Sequence, residues 1–143
     1  MKVKNLVQTK SKAVVSIDAG KSVEEAIRLM HKKKISALIV LEGKETAGIF
    51  TERDVVRCYV AKKEGTRFRQ IPVREAMTKK LLTAEGEDDV CDVMTMMVDK
   101  NIRHLPVVEQ GRVIAMLSVR DIIQTQVGKF TSEIHSLRDY IVS

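Results

Sequence analysis

Residues 48–54 read GIFTERD, and residues 115–121 read AMLSVRD. In each stretch a small residue and two apolar residues precede a hydroxyl residue, and Arg-Asp closes the motif. The offset of 67 positions (48 to 115) continues without a gap as residues 22–57 pair with residues 89–124. A match of this length at constant register indicates an internal duplication.

Both copies show the same succession of hydrophobic periods. Each begins with apolar residues at helical spacing, Val23, Ala26, Ile27 and Met30 in the first copy and Val90, Val93, Met94 and Met97 in the second. Ser22 and Glu25 form a capping-box pattern before the first of these helices. Short apolar runs follow (ISALIVL and IRHLPVV), then Gly-containing turns (EGKE and EQGR) and return strands (TAGIF and VIAML). Each copy therefore reads as helix, strand, strand, helix.

The flanking segments complete the repeats. An additional short strand is predicted before each copy, in AVVSI and in LLTA. The last helix of the first copy is expected from about Glu52 to Lys63, with Gly65 as its C′ residue. The predicted fold is α/β (α+β), with tandem βαββα repeats whose three-stranded sheets pack with helices.

The predicted domain boundaries follow from these elements. The first repeat covers 8–64, a linker 65–76, the second repeat 77–128, and a C-terminal amphipathic helix 129–143. Ile134, Leu137 and Ile141 recur at helical spacing in the last segment and predict docking on the module or on a second copy.

Composition limits the classes of function. The chain of 143 residues lacks an apolar run of membrane-spanning length, and MKVKNLVQTK lacks the apolar region of a secretory signal, so a cytoplasmic location is expected. Cys58 and Cys91 are isolated and predict neither a disulfide nor a metal site. The net charge of +6 comes from scattered basic residues with few aromatics, which argues against a nucleic-acid platform.

The repeated motif permits a structural and a functional interpretation. Thr51 and Ser118 fall where a strand ends and a helix begins, with Asp54 and Asp121 three residues later, which is a helix-capping pattern. The same position offers backbone N–H groups and a hydroxyl to a phosphate, while the carboxylate suits two adjacent ribose hydroxyls. Together these groups describe a nucleotide site, and the sequence contains no Walker loop or GxSxG motif that would indicate catalysis.

The doubled motif, with IRHLPVV before its second copy and VREAMT further back, resembles a tandem pair of cystathionine-beta-synthase (CBS) domains over about residues 8–128. The resemblance implies an intramolecular pair with roughly two-fold symmetry and two clefts for adenosyl ligands: AMP, ADP, ATP, NAD or S-adenosylmethionine. AMP, ADP and ATP are the expected regulatory ligands, and neither a catalytic cofactor nor a metal is expected.

The resemblance also implies particular binding residues. The first cleft would use Thr51, Arg53 and Asp54 with Lys80, Leu81, Ile102, Arg103, His104 and Pro106. The second would use Ser118, Arg120 and Asp121 with Val15, Ser16, Ser36 and Ala37. Because Arg103 and His104 correspond to the uncharged Ser36 and Ala37, the Asp54 cleft is expected to prefer the more highly phosphorylated ligand. Replacement of Gly48 by Ala115 in the second motif, and of Pro106 by Ile39 in the first copy, is expected to reshape the second cleft.

The leading hypothesis is a non-enzymatic regulatory module that senses an adenosyl nucleotide and passes energy or redox status to an unidentified effector protein. One alternative is a dimerisation scaffold whose hydroxyl residues are only helix caps. Nucleic-acid binding is a weaker alternative. A homodimer is expected through apolar helix positions outside the core stripe: Leu29, Val55, Val56, Met96, Ile122 and Ile123.

Overall fold

The computed structural model of the chain describes residues 1–8 and 13–142. The chain divides into two compact units. The first-repeat unit is Ala13–Leu82, and the second-repeat unit joins Met1–Lys12 to Thr83–Ser143.

Six α-helices and six strands are found in the described residues. In chain order they are α1 (Val3–Gln8), β1 (Ser16–Asp18), α2 (Val23–Lys33), β2 (Ala37–Glu42), β3 (Glu45–Thr51), α3 (Glu52–Ala61), α4 (Val73–Ala76), β4 (Ala84–Glu85), α5 (Val90–Asp99), β5 (His104–Glu109), β6 (Arg112–Ser118) and α6 (Val119–Val142). A short 3-10 helix, Phe68–Gln70, precedes α4.

Each unit is built on one three-stranded sheet. The strand orders are β1-β2-β3 and β4-β5-β6, and in both sheets the first pair is parallel and the second pair antiparallel. The register repeats as well, since Ala37 pairs with Thr51 and His104 pairs with Ser118. The predicted βαββα repeats are confirmed in both copies.

Helix α2 begins at the predicted capping box. The Ser22 N–H donates to Glu25 Oε2 at 2.9 Å, and the Glu25 N–H donates to Ser22 Oγ at 3.1 Å. The hydrogen bond from the Ser22 N–H is the main reason that the pKa of Glu25 is lowered. The apolar stripe of α2 packs on the first sheet, in a core that comprises Ile17, Ala19, Val23, Ala26, Met30, Leu38, Val40, Phe50 and Val73.

Helix α3 is shorter than predicted. It ends at Ala61, because Lys62 is already extended (φ −67°, ψ 151°). Gly65 is therefore not the C′ residue, and its positive φ of 85° serves the turn that follows. The segment predicted as a linker, 65–76, packs into the first-repeat unit, where Val73 is fully buried and its N–H donates to the Lys21 carbonyl at 2.7 Å.

Helix α1 was absent from the sequence prediction. Its Val3 and Lys4 N–H groups donate to the carbonyls of Asp88 and Gly86, each at 2.9 Å, and Val3 is fully buried. The start of the chain thus belongs to the second-repeat unit.

Helix α6 is one continuous helix of 24 residues, whereas two helices meeting near residue 128 were predicted. Gly128 lies inside this helix, and a Cβ at that position would have no neighbouring atom within 4 Å. Neither strain nor crowding therefore breaks the helix there. Among the described residues, none of the helices is long and apolar enough to cross a membrane.

Glu87 provides a test of how α1 is attached. Its carboxylate accepts from Lys2 Nζ and Lys4 Nζ, both at 2.7 Å, and these hydrogen bonds lower its pKa from 4.5 to about 2. Because the folded pKa is depressed, the contribution of these ion pairs to stability is fully present above about pH 4.5 and is lost as pH falls through about 2. NMR titration of the Glu87 carboxyl should give a midpoint near 2 that moves toward 4.5 when Lys2 and Lys4 are both changed to Ala. A wild-type midpoint at 4.5 would contradict this attachment.

Candidate functional site

The first motif lies at the junction of β3 and α3. Thr51 is the last residue of β3 and the N-cap of α3, with extended backbone angles (φ −126°, ψ 172°). Its N–H donates to Asp54 Oδ2 at 2.8 Å, and its hydroxyl lies 3.4 Å from the same oxygen. The capping interpretation of this motif is therefore correct for the main-chain N–H.

The Asp54 carboxylate is almost completely buried, with 1% of its surface exposed. Oδ1 accepts from the Thr78 hydroxyl at 2.8 Å and lies 3.2 Å from Arg57 Nη1. A carboxylate offers about four lone-pair positions, and the Thr51 N–H, the Thr51 hydroxyl, the Thr78 hydroxyl and the Arg57 guanidinium together account for them. A ribose diol would have to displace Thr78 or Arg57 in order to bind Asp54.

Thr78 was not predicted to belong to the site. Its N–H and carbonyl bond to the carbonyl and N–H of Ile49 at 2.8 and 3.0 Å, which fixes its backbone beside β3. A Cβ on Gly48 would lie 2.5 Å from the Thr78 carbonyl oxygen and 2.9 Å from Met77 Sδ. This close approach therefore requires glycine at the start of the first motif. No local sequence pattern predicts the contact between Gly48 and Thr78.

The second motif lies at the junction of β6 and α6 and forms a complete capping box. The Ser118 N–H donates to Asp121 Oδ2 at 2.9 Å, and the Asp121 N–H donates to Ser118 Oγ at 3.1 Å. Asp121 is half-buried, in contrast to Asp54. The two motifs share their local geometry and differ in how accessible the carboxylate is.

In each unit the start of the middle strand lies beside that unit's own motif. The Glu52 N–H donates to the Ser36 carbonyl at 3.2 Å, and the Val119 N–H donates to the Arg103 carbonyl at 2.9 Å. Ser36 with Ala37 and Arg103 with His104 are consequently equivalent positions at the N-termini of α3 and α6. The side chain of Arg103 is exposed, and that of His104 is half-buried.

The other predicted binding residues lie around these junctions. The Val15 carbonyl accepts from the Ile39 N–H at 3.1 Å, and Ser16 pairs with Ile39. In the first-repeat unit, Lys80 and Leu81 follow shortly after Thr78. In the second-repeat unit, Pro106 on β5 pairs with Met116 on β6. The Ile102 N–H donates to the Met97 carbonyl at 2.9 Å. Arg53 and Arg120 are exposed in the first turns of α3 and α6.

The predicted binding residues fall into two groups by unit. The first-repeat unit holds Val15, Ser16, Ser36, Ala37, Thr51, Arg53, Asp54, Lys80 and Leu81. The second-repeat unit holds Ile102, Arg103, His104, Pro106, Ser118, Arg120 and Asp121. How these residues are combined around a ligand stays a prediction.

A groove of about 880 Å³ lies elsewhere, on the helical side of the first-repeat unit. Its described lining is Glu24, Ile27, Arg28, His31, Lys32, Val55, Arg67, Phe68 and Arg69, which includes none of the predicted binding residues. The described part of the chain contains no cluster of His, Cys, Asp and Glu that could hold a metal ion. Cys58 and Cys91 are both free, and burial raises the pKa of the Cys58 thiol.

Comparison with known proteins assigns the repeats. The profile of the CBS domain matches residues 3–61 and 73–128. The chain belongs to the CBS-domain family. Both predicted repeats are thereby identified as CBS repeats, and the first match includes α1, which the structure places with the second-repeat unit.

Known CBS-domain proteins resemble this chain in sequence and structure. The mitochondrial CBS domain-containing protein CBSX3 of Arabidopsis thaliana is 33% identical over 84% of this chain, which spans only 60% of the length of that relative. The crystal structure of ATU1752 from Agrobacterium tumefaciens is 31% identical, with a TM-score of 0.82 over 88% of this chain and 99% of that one. The CBS pair of protein MJ0100 was solved in complex with 5′-methylthioadenosine and S-adenosyl-L-methionine; it is 25% identical, with a TM-score of 0.76 over 90% of this chain and 98% of that one.

The unequal burial of the two Asp side chains predicts unequal stability effects. Asp54→Ala leaves the Thr51 N–H and the Thr78 hydroxyl without their acceptor in a buried place, and should lower the free energy of unfolding by about 3 kcal/mol. Asp121→Ala removes a half-buried cap and should cost about 1 kcal/mol. Urea denaturation measures both values.

Asp92 supplies the matched control, because it is an exposed acid in the first turn of α5. Asp92→Ala should change the free energy of unfolding by no more than about 0.5 kcal/mol. Equal losses for Asp54→Ala and Asp121→Ala would contradict the difference between the two junctions.

Proposed function

We propose that the chain is a regulatory module that binds an adenosyl nucleotide and passes the cell's energy or redox status to a partner protein. CBS-domain proteins are typically regulatory modules, which supports this class of function. The ligands in the MJ0100 complex share an adenosyl group. The proposed ligands are AMP, ADP and ATP first, then NAD and S-adenosylmethionine, all of which contain adenine and ribose.

The junction at Ser118 and Asp121 is the single observation that carries the proposal. It combines a hydroxyl, the N-terminus of the long helix α6 and a half-buried carboxylate. The helix N-terminus favours a negatively charged phosphate, whereas the carboxylate accepts from a ribose diol. This separation of roles within one turn of helix is the chemistry that a nucleotide requires.

The first motif favours a second candidate function, that of a scaffold without a ligand. Because the chain's own groups occupy the Asp54 carboxylate, the Thr51–Asp54 motif has a sufficient structural role in holding β3, α3 and Thr78 together. Under this alternative the second motif is also only a cap. The two functions differ in whether any adenosyl ligand stabilises the protein.

The proposal extends to partners and location. The module has no enzymatic activity of its own, assembles as a homodimer and acts on a separate effector protein, without binding nucleic acid. We also propose a cytoplasmic location, because Cys58 and Cys91 are both free thiols and reducing compartments keep thiols in that state.

Thermal unfolding with a panel of ligands tests the proposed function. AMP, ADP, ATP, NADH and S-adenosylmethionine are compared with GMP at equal concentrations. A ligand at 100 times its Kd should add about 2.7 kcal/mol to the free energy of unfolding, whereas GMP should add nothing. Asp121→Ala should abolish the ligand-induced shift, because it removes the ribose acceptor.

Two controls make this result specific. Asp139→Ala changes an exposed acid further along α6 and should leave the ligand-induced shift intact. Asp54→Asn shows whether the first motif also binds, since it retains the shape of the side chain. The absence of a shift with any adenosyl ligand would leave both motifs as helix caps and favour the scaffold.

Arg103 was assigned to the Asp54 cleft by resemblance, but its carbonyl accepts from the Val119 N–H beside the Ser118 junction. It therefore tests whether binding at the Ser118 junction favours phosphorylated ligands. Arg103→Glu should weaken ATP binding by about tenfold or more and leave adenosine binding nearly unchanged, because only ATP offers phosphates to the guanidinium. Arg112→Glu changes another exposed arginine of the same unit, at the start of β6, and is the matched control. Calorimetric titration measures the affinities, and unchanged ATP affinity in Arg103→Glu would contradict the role of Arg103.

A further inference from the structure

Helix α6 presents an exposed apolar stripe along most of its length. The stripe consists of Ile123, Val127, Phe130, Ile134, Leu137 and Ile141, all at least half exposed. The spacing between successive members is four, three, four, three and four residues. An alternation of three and four is a heptad pattern with a mean period of 3.5 residues, which is typical of a helix that packs along another helix.

The helix is anchored at one end only. Ile122 is 1% exposed and packs within the second-repeat unit, so it is not available to a partner, contrary to the sequence expectation. Every described residue from 129 to 142 is exposed. A helical segment of this length is marginally stable in water by itself, and an apolar seam of this size is stable only when it is covered.

We infer that the seam is covered by the same helix of a second copy of this chain, in a parallel two-stranded coiled coil. The heptad places Val127, Ile134 and Ile141 at a positions, and Ile123, Phe130 and Leu137 at d positions. All three a residues are β-branched, as is typical of two-stranded parallel coiled coils, and the d positions hold Ile, Phe and Leu. The other face of the exposed segment is mainly polar, including Lys129, Ser132, His135, Ser136 and Asp139, so the helix offers a single seam.

The charged side chains beside the seam favour a parallel dimer over an antiparallel one. Glu133 occupies a g position and Arg138 the e position five residues later. In a parallel dimer a g residue faces the e residue of the following heptad on the other strand, so each Glu133 meets an Arg138 and the dimer gains two ion pairs. In an antiparallel dimer g positions face g positions, and Glu133 would face Gln126, Tyr140 or another Glu133.

The remaining flanking positions fit this arrangement. Gln124 and Thr131 at e, and Gln126 at g, are uncharged and create no repulsion between strands. The Thr131 hydroxyl donates to the Val127 carbonyl of its own helix at 2.9 Å, so it needs no partner across the seam. The interaction surface lies away from the Ser118 junction and requires no nucleotide.

Disulfide cross-linking tests the orientation and register directly. In the full chain with Cys58→Ser and Cys91→Ser, a cysteine at a d position of a parallel dimer lies opposite itself. Leu137→Cys should therefore form a covalent dimer in a thiol–disulfide buffer, whereas Ser136→Cys, on the outer face, should remain largely monomeric on a non-reducing gel. Equal cross-linking of the two variants, or none in Leu137→Cys, would overturn the parallel coiled coil.

Charge exchange tests the pairing without touching the apolar seam. Glu133→Arg alone and Arg138→Glu alone should each weaken dimerisation by about tenfold, because two attractive pairs become repulsive. The double variant, and an equal mixture of the two single variants, should recover the wild-type association in sedimentation equilibrium. Failure of both the double variant and the mixture to recover association would overturn the proposed pairing, and so would an absence of loss in the single variants. Circular dichroism confirms that each variant remains folded.

Discussion

A hydrogen bond from the last N–H of a strand to a carboxylate three residues later underlies both halves of this protein. The Thr51 N–H donates to Asp54 and the Ser118 N–H donates to Asp121, at 2.8 and 2.9 Å. In each half this bond joins the end of the return strand to the start of the following helix without an intervening loop. The backbone N–H groups at that helix start are consequently held at a fixed place beside the start of the middle strand, which is what makes the junction suitable for an anionic ligand.

The two halves use the same bond under different constraints. In the first half Asp54 also holds the Thr78 hydroxyl, and the close approach of Thr78 excludes any side chain at position 48. In the second half Asp121 is half-buried and Ala115 occupies the position equivalent to Gly48. The Asp54 carboxylate is thus almost completely buried, whereas the Asp121 carboxylate is more accessible. This difference underlies the assignment of ligand binding to the second motif.

The sequence predicted those features that depend on neighbours within a few residues. The order of helix and strand in each copy and the Ser22–Glu25 cap are local patterns, and both are confirmed. The duplication, read directly from the repeated sequence, is confirmed by two sheets of the same strand order. The sequence missed features that depend on distant contacts. Helix α1 has only Val3 and Leu6 as buried residues and is recognisable only beside residues 86–90, while Thr78 reaches Asp54 across 24 positions. The continuity of α6 was missed because the second repeat was expected to end at residue 128, before a separate C-terminal helix. Gly128 does not end the helix, since a glycine within a long helix costs only about 1 kcal/mol.

Backbone NMR during titration with S-adenosylmethionine and ATP tests the central claim most directly, because it reads the two junctions separately in one sample. The account predicts that amide signals of Ser118, Val119 and Arg120 shift on saturation, and that Asp121→Asn removes these shifts while the remainder of the spectrum stays that of the folded protein. Thr51 should shift less, since its N–H partner Asp54 is already occupied by Thr78 and Arg57. Saturable shifts confined to residues away from both junctions, or no shifts with either ligand, would contradict the account.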